Sequence, residues 1–326
     1  MTDHVLAANY EADVLWAYDI LRRGLTERTI SLALEQCASE DDVIARGAGA
    51  SIYLAYRFPV TRRALEHLPR LRLIISSGSG YDHIDVPAAT DRGIFVCNAA
   101  TYNVEDVAEH TLMLLLASAR TLRALEAAVR AGTWPLAPRG QPRHRFIGKT
   151  VGLIGFGKIA RAVAWRARGL GMSVLACDPY VAPDDILAGH AEPVTLDGLL
   201  TRSDFVSLHL RLNDATRHLM GTREFARMKP SAYFINTSRG GLVDERAMVE
   251  ALRQGQIAGA GLDVLDPEPP PADHPLLHMD NVIVTGHTAG STVESIHALV
   301  DEWLRIIDSY RAGGRPINLV NPQVLA

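Results

Sequence analysis

The chain has 326 residues, which at about 150 residues per domain favours two domains over one. Hydrophobic residues make up 48% and charged residues 21%, the balance of an ordinary globular protein, and this excludes a disordered or fibrous chain. The 33 basic and 37 acidic residues leave a net charge of −4 with no long basic block, so nucleic acid is not an expected partner.

Asp3, Glu11, Asp13 and Asp19 fall where a secretory signal would need an uninterrupted apolar segment. The longest apolar run, Leu112 to Ala117, is far below the roughly 20 residues that span a bilayer, so no membrane partner is expected. Cys37, Cys97 and Cys177 are odd in number and form no Cys-x-x-Cys pair. They read as reduced thiols of a cytoplasmic protein, with no metal site.

Short apolar runs alternate with longer amphipathic ones throughout, the pattern of strands and crossover helices in parallel sheets. The first hundred residues offer strands at Val5 to Ala7, Ile52 to Ala55, Leu73 to Ser76 and Ile94 to Cys97. A long helix from about Asn103 to Ala131 follows, with Asn103 as its cap and Gly132 just beyond its end. A second series has six strands: Val151 to Ile154, Ser173 to Cys177, Phe205 to Leu208, Tyr233 to Ile235, Gly259 to Leu262 and Val282 to Val284. Pro267 to Pro271 reads as a stiff loop. Ser291 to Arg311 is a second long helix, with Ile296, Leu299, Trp303, Ile306 and Ile307 on one face.

The first strand of the second series runs into Gly155-Phe156-Gly157-Lys158-Ile159-Ala160, a G-x-G-x-x-A turn between strand and helix. Gly155 permits the turn, Gly157 lets the backbone approach a pyrophosphate, and Ala160 lets the helix pack close to the sheet. The helix start at Lys158 and Ile159 then faces the phosphates with free amides. Asp178 ends the next strand 21 residues after Gly157, where a carboxylate accepts the adenosine ribose hydroxyls and repels a 2'-phosphate. NAD is therefore the expected cofactor, although Arg161 and Tyr180 lie close enough in sequence to complicate the choice.

Three later stretches resemble the motifs of the D-isomer-specific 2-hydroxyacid dehydrogenase family, and the resemblance runs from about Leu54 to Pro316. Asn236-Thr237-Ser238-Arg239-Gly240 is similar to its arginine motif, Leu262-Asp263-Val264 through Glu268-Pro269 to its glutamate motif, and Thr285-Gly286-His287 to its histidine motif. Gly78-Ser79-Gly80-Tyr81 resembles its substrate loop. The resemblance implies His287 as acid/base, Glu268 as the carboxylate that orients it and stabilises the imidazolium, and Arg239 as the binder that polarises the substrate carbonyl. It also implies cofactor contacts at Thr237 and Asp263, and substrate contacts at Arg57 and at the amides of Ser79 and Gly80. A histidine suits the proton step because its ordinary pKa of about 6.5 lies near working pH.

The chain departs from the family pattern at Gly286, where relatives carry proline, which leaves the His287 loop freer. It departs again at Arg211, where relatives commonly have proline. Ala55 stands where phosphoglycerate-type relatives place an arginine, which argues against that substrate. His83, His110 and His209 read as supporting residues, and Trp134 as either packing or an active-site edge.

The expected fold is α/β: a Rossmann-type doubly wound parallel sheet over residues 100–290, and a smaller flavodoxin-like domain from 1–99 and 291–326. The active site is expected in a cleft between them, with hinges near residues 98–103 and 287–292. The expected activity is NAD-dependent reduction of a small 2-keto acid such as glyoxylate or hydroxypyruvate, by a homodimer joined through its cofactor domains. The alternatives are an NAD-sensing, corepressor-like binding protein of the same fold, and a dehydrogenase of a phosphonate or phosphite.

Overall fold

The computed structural model describes residues 3–8, 15–56, 58–134 and 143–325. The chain divides into two compact units, Met1–Asn103 with Thr292–Ala326, and Val104–Ser291.

The first unit contains β1 (His4–Ala8), α1 (Leu15–Glu27), β2 (Ser31–Glu35), α2 (Glu40–Gly47), β3 (Ile52–Ala55), α3 (Arg62–Glu66), β4 (Leu73–Ser76), α4 (Val86–Asp91) and β5 (Phe95–Asn98). Its five strands pair in parallel in the order β2-β1-β3-β4-β5, the flavodoxin-like arrangement. The strands β3 and β4 are buried along their whole length, because parallel sheets are covered on both faces, and apart from Ser76 at the end of β4 their residues are correspondingly apolar or aromatic. The edge strand β2, Ser-Leu-Ala-Leu-Glu, is only partly buried and lacks that apolar signature, which is why the sequence reading contains four strands here and not five.

The second unit opens with α5 (Val104–Ala119) and α6 (Leu122–Arg130). It continues with β6 (Thr150–Ile154), α7 (Lys158–Gly169), β7 (Ser173–Cys177), α8 (Pro183–Ala188), β8 (Glu192–Pro193), α9 (Leu196–Arg202), β9 (Phe205–Leu208), α10 (Thr222–Arg227), β10 (Tyr233–Asn236), α11 (Glu245–Arg253), β11 (Gly259–Leu262) and β12 (Val282–Val284). Seven parallel strands follow the order β12-β11-β10-β9-β6-β7-β8. This is a doubly wound sheet whose strand order reverses between β6 and β9. The two-residue edge strand β8 includes a proline and has no sequence signature of a strand.

The single helix expected over Asn103 to Ala131 is two helices. They break at Thr121, whose φ of 51° lies in the left-handed region. The first, α5, buries Val107, Leu112, Leu114 and Leu115, whereas α6 buries none of its residues. A continuous rod would carry one apolar stripe in a fixed direction, and the break lets α6 leave that line. Gly132, with φ of 78°, ends α6.

The last helix, α12 (Val293–Arg311), belongs to the first unit. It buries Val300, Trp303, Ile306 and Ile307 in the same core as Tyr18, Leu21 and Leu25 of α1. Arg28 donates two hydrogen bonds of 2.7 Å to Asp308, tying the end of α1 to α12. The buried carboxylate of Glu302 accepts from the Ala100 amide at 3.0 Å and from Asn318 Nδ2 at 2.6 Å, which pins the segment leaving β5. Among the described residues, no helix is long and apolar enough to cross a membrane.

A β-branched residue at positive φ is strained by about 1–2 kcal/mol relative to the right-handed region. Thr121→Gly should therefore gain about 1 kcal/mol after glycine's own entropic cost, raising the thermal midpoint by roughly 2 °C. An unchanged or lower midpoint would show that the break is not strained.

Candidate functional site

The candidate groups of the second unit lie at the carboxyl ends of its strands, on the loops there or, for Lys158 and Ile159, in the first turn of the helix that follows. After β6, Gly155 adopts φ of 89°, and a Cβ there would lie 2.5 Å from the His209 carbonyl oxygen, so only glycine fits. At Gly157 a Cβ would meet nothing within 4 Å: the backbone there is open to an approaching ligand. Helix α7 begins at Lys158 without a side-chain cap, leaving the amides of its first turn turned outward. One Asp178 oxygen accepts the Phe156 amide at 2.8 Å and the other the Tyr180 amide at 2.9 Å, so this carboxylate buttresses the glycine turn. A carboxylate offers about four acceptor sites, which leaves capacity for ribose hydroxyls. Arg161 donates to the Asp185 carbonyl at 2.9 Å and lies over the Phe156 ring. Tyr180 is 93% exposed. The turn, the bare helix end and Asp178 together suit a dinucleotide without a 2'-phosphate.

After β10, Asn236 shapes the turn that presents Arg239. Its side chain accepts the Ser238 amide at 2.9 Å and donates to the Arg239 carbonyl at 2.9 Å. Ser238 Oγ donates to the Leu208 carbonyl at 2.7 Å, and Thr237 Oγ1 lies 2.9 Å from Thr111 Oγ1 of α5. Gly240 packs so closely that a Cβ would sit 2.1 Å from the Leu265 carbonyl carbon. The arginine turn and the start of the glutamate loop are therefore in backbone contact.

Asp263, at the end of β11, is 1% exposed. It accepts Thr285 Oγ1 at 2.5 Å and the amides of Thr288 and Ala289 at 2.9 Å each. Its own carbonyl accepts the His287 amide at 2.7 Å. The loop expected to be freed by Gly286 is thus held at four points. His287 itself sits at φ of 58°, in the left-handed region that histidine tolerates better than most residues. Its Nδ1 donates to Glu268 Oε2 at 2.6 Å, and Glu268 Oε1 accepts the Leu265 amide at 3.2 Å. Both side chains are 30% exposed, so the pair is reachable by a small molecule. The carboxylate fixes the imidazole tautomer with the proton on Nδ1, an arrangement suited to proton exchange at the other ring nitrogen.

Other histidines do not compete for that role. His110 Nε2 donates to Thr285 Oγ1 at 2.9 Å, so it braces the Asp263 network from α5. Burial pushes the His209 imidazole down to about 4, and its Nε2 has no partner among the described residues, so it stays neutral at working pH. Burial raises the Cys97 thiol to about 12 and raises Cys177 too, which keeps both from acting as nucleophiles.

In the first unit, the loop after β4 is tied down by its carbonyls. Ala99 N–H donates to Gly78 O at 3.1 Å, Asn98 Nδ2 to Ser79 O at 2.6 Å, and Ser76 Oγ to Gly80 O at 2.5 Å. In a trans peptide each carbonyl points opposite to the next amide. The N–H groups of Ser79, Gly80 and Tyr81 are therefore turned away from these anchors, as a cradle for an anion would require. Sequence reading proposes Ser79 and Gly80 but not the anchors, since Ser76 and Asn98 sit at the ends of strand runs and look like nothing more. His83 Nε2 lies 3.3 Å from the Ala55 carbonyl and supports the neighbouring segment. Arg57 lies outside the described residues, and Trp134 is 75% exposed.

A doubly wound sheet with a glycine turn at its switch point, and a histidine paired with a carboxylate at the same edge, is the architecture of a nicotinamide-dependent dehydrogenase. Residues 112–289 match the model of the D-isomer specific 2-hydroxyacid dehydrogenase NAD binding domain. The chain is 39% identical over 269 residues to a glyoxylate reductase of Korarchaeum cryptofilum, covering 82% of this chain and 81% of that one. It is 37% identical over 292 residues to a glycerate dehydrogenase of Methylorubrum extorquens, covering 88% and 90%. The D-lactate dehydrogenase of Aquifex aeolicus, solved with NAD and lactic acid, superposes with a TM-score of 0.84 at 28% identity, over 95% of this chain and 96% of that one. The chain belongs to the D-isomer specific 2-hydroxyacid dehydrogenase family. It is an NAD-dependent oxidoreductase of 2-hydroxy acids.

Two measurements probe this geometry. Asn98→Ala removes one anchor of the cradle and should raise KM for a 2-keto acid by roughly tenfold, with KM for NADH unchanged, as expected for loss of one buried hydrogen bond. His209 titrates near 6.5 in the unfolded chain but only near 4 when folded, so between those values the unfolded chain holds more protons. Stability is then flat above about pH 6.5 and falls by up to about 3 kcal/mol as pH drops to about 4. His209→Gln should flatten that fall in denaturant titrations at about pH 7 and about pH 4.5; an equal fall in both proteins would refute the assignment.

Proposed function

We propose that the enzyme reduces a small 2-keto acid, of the size of glyoxylate or hydroxypyruvate, to the D-2-hydroxy acid with NADH. The observation that carries the reading is the 2.6 Å hydrogen bond between His287 Nδ1 and Glu268, on loops at the same sheet edge as the glycine turn. The similarity to a glyoxylate reductase and a glycerate dehydrogenase supports the size of the substrate. Asp178, committed to the glycine turn while Arg161 donates to the Asp185 carbonyl, supports NADH over NADPH.

In this reading the second unit holds the cofactor, through Gly155, Gly157 and the amides of Lys158 and Ile159 at the pyrophosphate, Asp178 at the ribose, and Thr237 and Asp263 on the nicotinamide side. The first unit is the substrate domain, whose Ser79 and Gly80 amides receive the substrate carboxylate, with Arg57 nearby in the chain. Arg239 binds the substrate and polarises its carbonyl through the planar fork of its guanidinium. Bound NADH supplies the hydride. His287 Nε2 delivers the proton to the carbonyl oxygen, and the Glu268 carboxylate stabilises the imidazolium that precedes that transfer.

The protein acts as a homodimer joined through the cofactor units. In support, α6 presents Leu122 and Val129, 56% and 46% exposed, along one side, and its own unit covers neither. Three free cysteines suit a reducing cytoplasm.

The test is NADH consumption against a panel of 2-keto acids. His287→Asn should lower kcat by about a thousandfold while NADH still binds, the range of a lost general acid. If no acid were turned over faster by the native enzyme than by that variant, the protein would be a dinucleotide sensor and the reading would fail. A preference for NADPH of roughly tenfold would overturn the role given to Asp178.

A further inference from the structure

Glu268 sits on a loop with no regular structure between β11 and the short 3-10 turn Pro275–His278. Its useful geometry, 2.6 Å from His287 Nδ1, depends on where that loop is held. One side chain outside the loop reaches both of its ends. Glu245 is the first residue of α11; its Oε1 accepts the Asp266 amide at 2.9 Å, and its Oε2 accepts His274 Nε2 at 3.0 Å. Asp266 lies two residues before Glu268 and His274 six after it.

This carboxylate is not an ordinary first-turn charge on an exposed helix end. Its side chain is 13% exposed and that of His274 15%, and both of its oxygens are occupied. Asp244, and not Glu245, caps α11, accepting the amides of Arg246 and Ala247. Burial raises the Glu245 carboxyl, a cost that an isolated surface glutamate would not carry. His274 Nδ1 is buried without a partner among the described residues. The imidazole is thus kept for the single hydrogen bond that its Nε2 donates to Glu245. The helix beneath is rigid, since Ala247, Met248, Ala251 and Leu252 all lie in the core.

We propose that Glu245 and His274 are positioning residues of the reaction, closing the loop 266–274 onto α11 so that Glu268 is held against His287. The proposal rests on the reading of Glu268 and His287 as the proton-handling pair. Neither Glu245 nor His274 touches the substrate; they act through Glu268 alone, and a misplacement of about 1 Å there can cost up to a hundredfold in rate.

The experiment is a double-mutant cycle on the full-length enzyme, reading kcat, KM for NADH and the pH profile of 2-keto acid reduction. Glu245→Ala and His274→Ala should each lower kcat by roughly tenfold, leave KM for NADH within about twofold, and move the alkaline limb of kcat to lower pH, as Glu268→Gln does. His274→Gln, whose amide can place an N–H near the position of Nε2, should recover most of the rate. Added to Glu268→Gln, Glu245→Ala should have no further effect on rate or profile. If Glu245→Ala does not fold, Glu245→Gln, which keeps an acceptor for the Asp266 amide, takes its place in the cycle. The proposal is overturned if the Glu245 variant only melts earlier while its kcat and pH profile match the native enzyme, or if its effect multiplies with that of Glu268→Gln. Should Glu268→Gln itself leave the profile in place, the pair reading fails and the clamp falls with it. A shifted profile for Glu268→Gln beside a native one for Glu245→Ala sinks the clamp alone.

Discussion

Parallel pairing forces each strand of the second unit to be entered from the same side, so every carboxyl end, with the loop behind it, is delivered to one edge of the sheet. That single constraint gathers Gly155, Asp178, His209, Arg239, Asp263 and His287 from positions spread over 133 residues of sequence. It does not by itself orient them. Orientation comes from buried polar groups that must find partners: Asp263, almost fully buried, draws a hydroxyl and two amides onto its side chain, and those donors belong to the loop that carries His287. The demand of one carboxylate for hydrogen bonds thus becomes the placement of an imidazole.

The same logic recurs at each element of the site. Asn236 sets the arginine turn, Asp178 the glycine turn, and Ser76 with Asn98 the carbonyls of the loop after β4. In every case a short polar side chain at a strand end satisfies backbone groups that the sheet has released. Loops built in this way are anchored by the strands they follow, and long side chains such as Arg239 and Glu268 then need only extend from a fixed base.

How much of this is legible in the sequence follows from the range of each signal. Central strands such as Ile52–Ala55 and Phe205–Leu208 announce themselves because burial on two faces leaves them almost wholly apolar or aromatic, with Ser207 the exception. The edge strands Ser31–Glu35 and Glu192–Pro193 do not, since one flank and part of a face stay wet. The break at Thr121 is invisible because threonine is no usual carrier of a left-handed turn. Glu268, Arg239 and His287 stand out as candidates because each lies in a local motif that resembles one of the family's. Glu245 and His274 do not, because their partnership spans 29 residues and, taken alone, each resembles a residue at the start of a helix or turn.

The left-handed backbone at His287 has a consequence for descent. With His287 in the proposed role of acid/base, two filters act on this position, one for a group that exchanges protons and one for a side chain that accepts positive φ. Asparagine, aspartate and glycine pass the second filter and fail the first. A single replacement by one of them would silence the chemistry while leaving the glycine turn and the sheet intact. A lineage could then retain dinucleotide binding as its sole trait, so catalysts and non-catalytic cofactor readers on this scaffold lie one substitution apart.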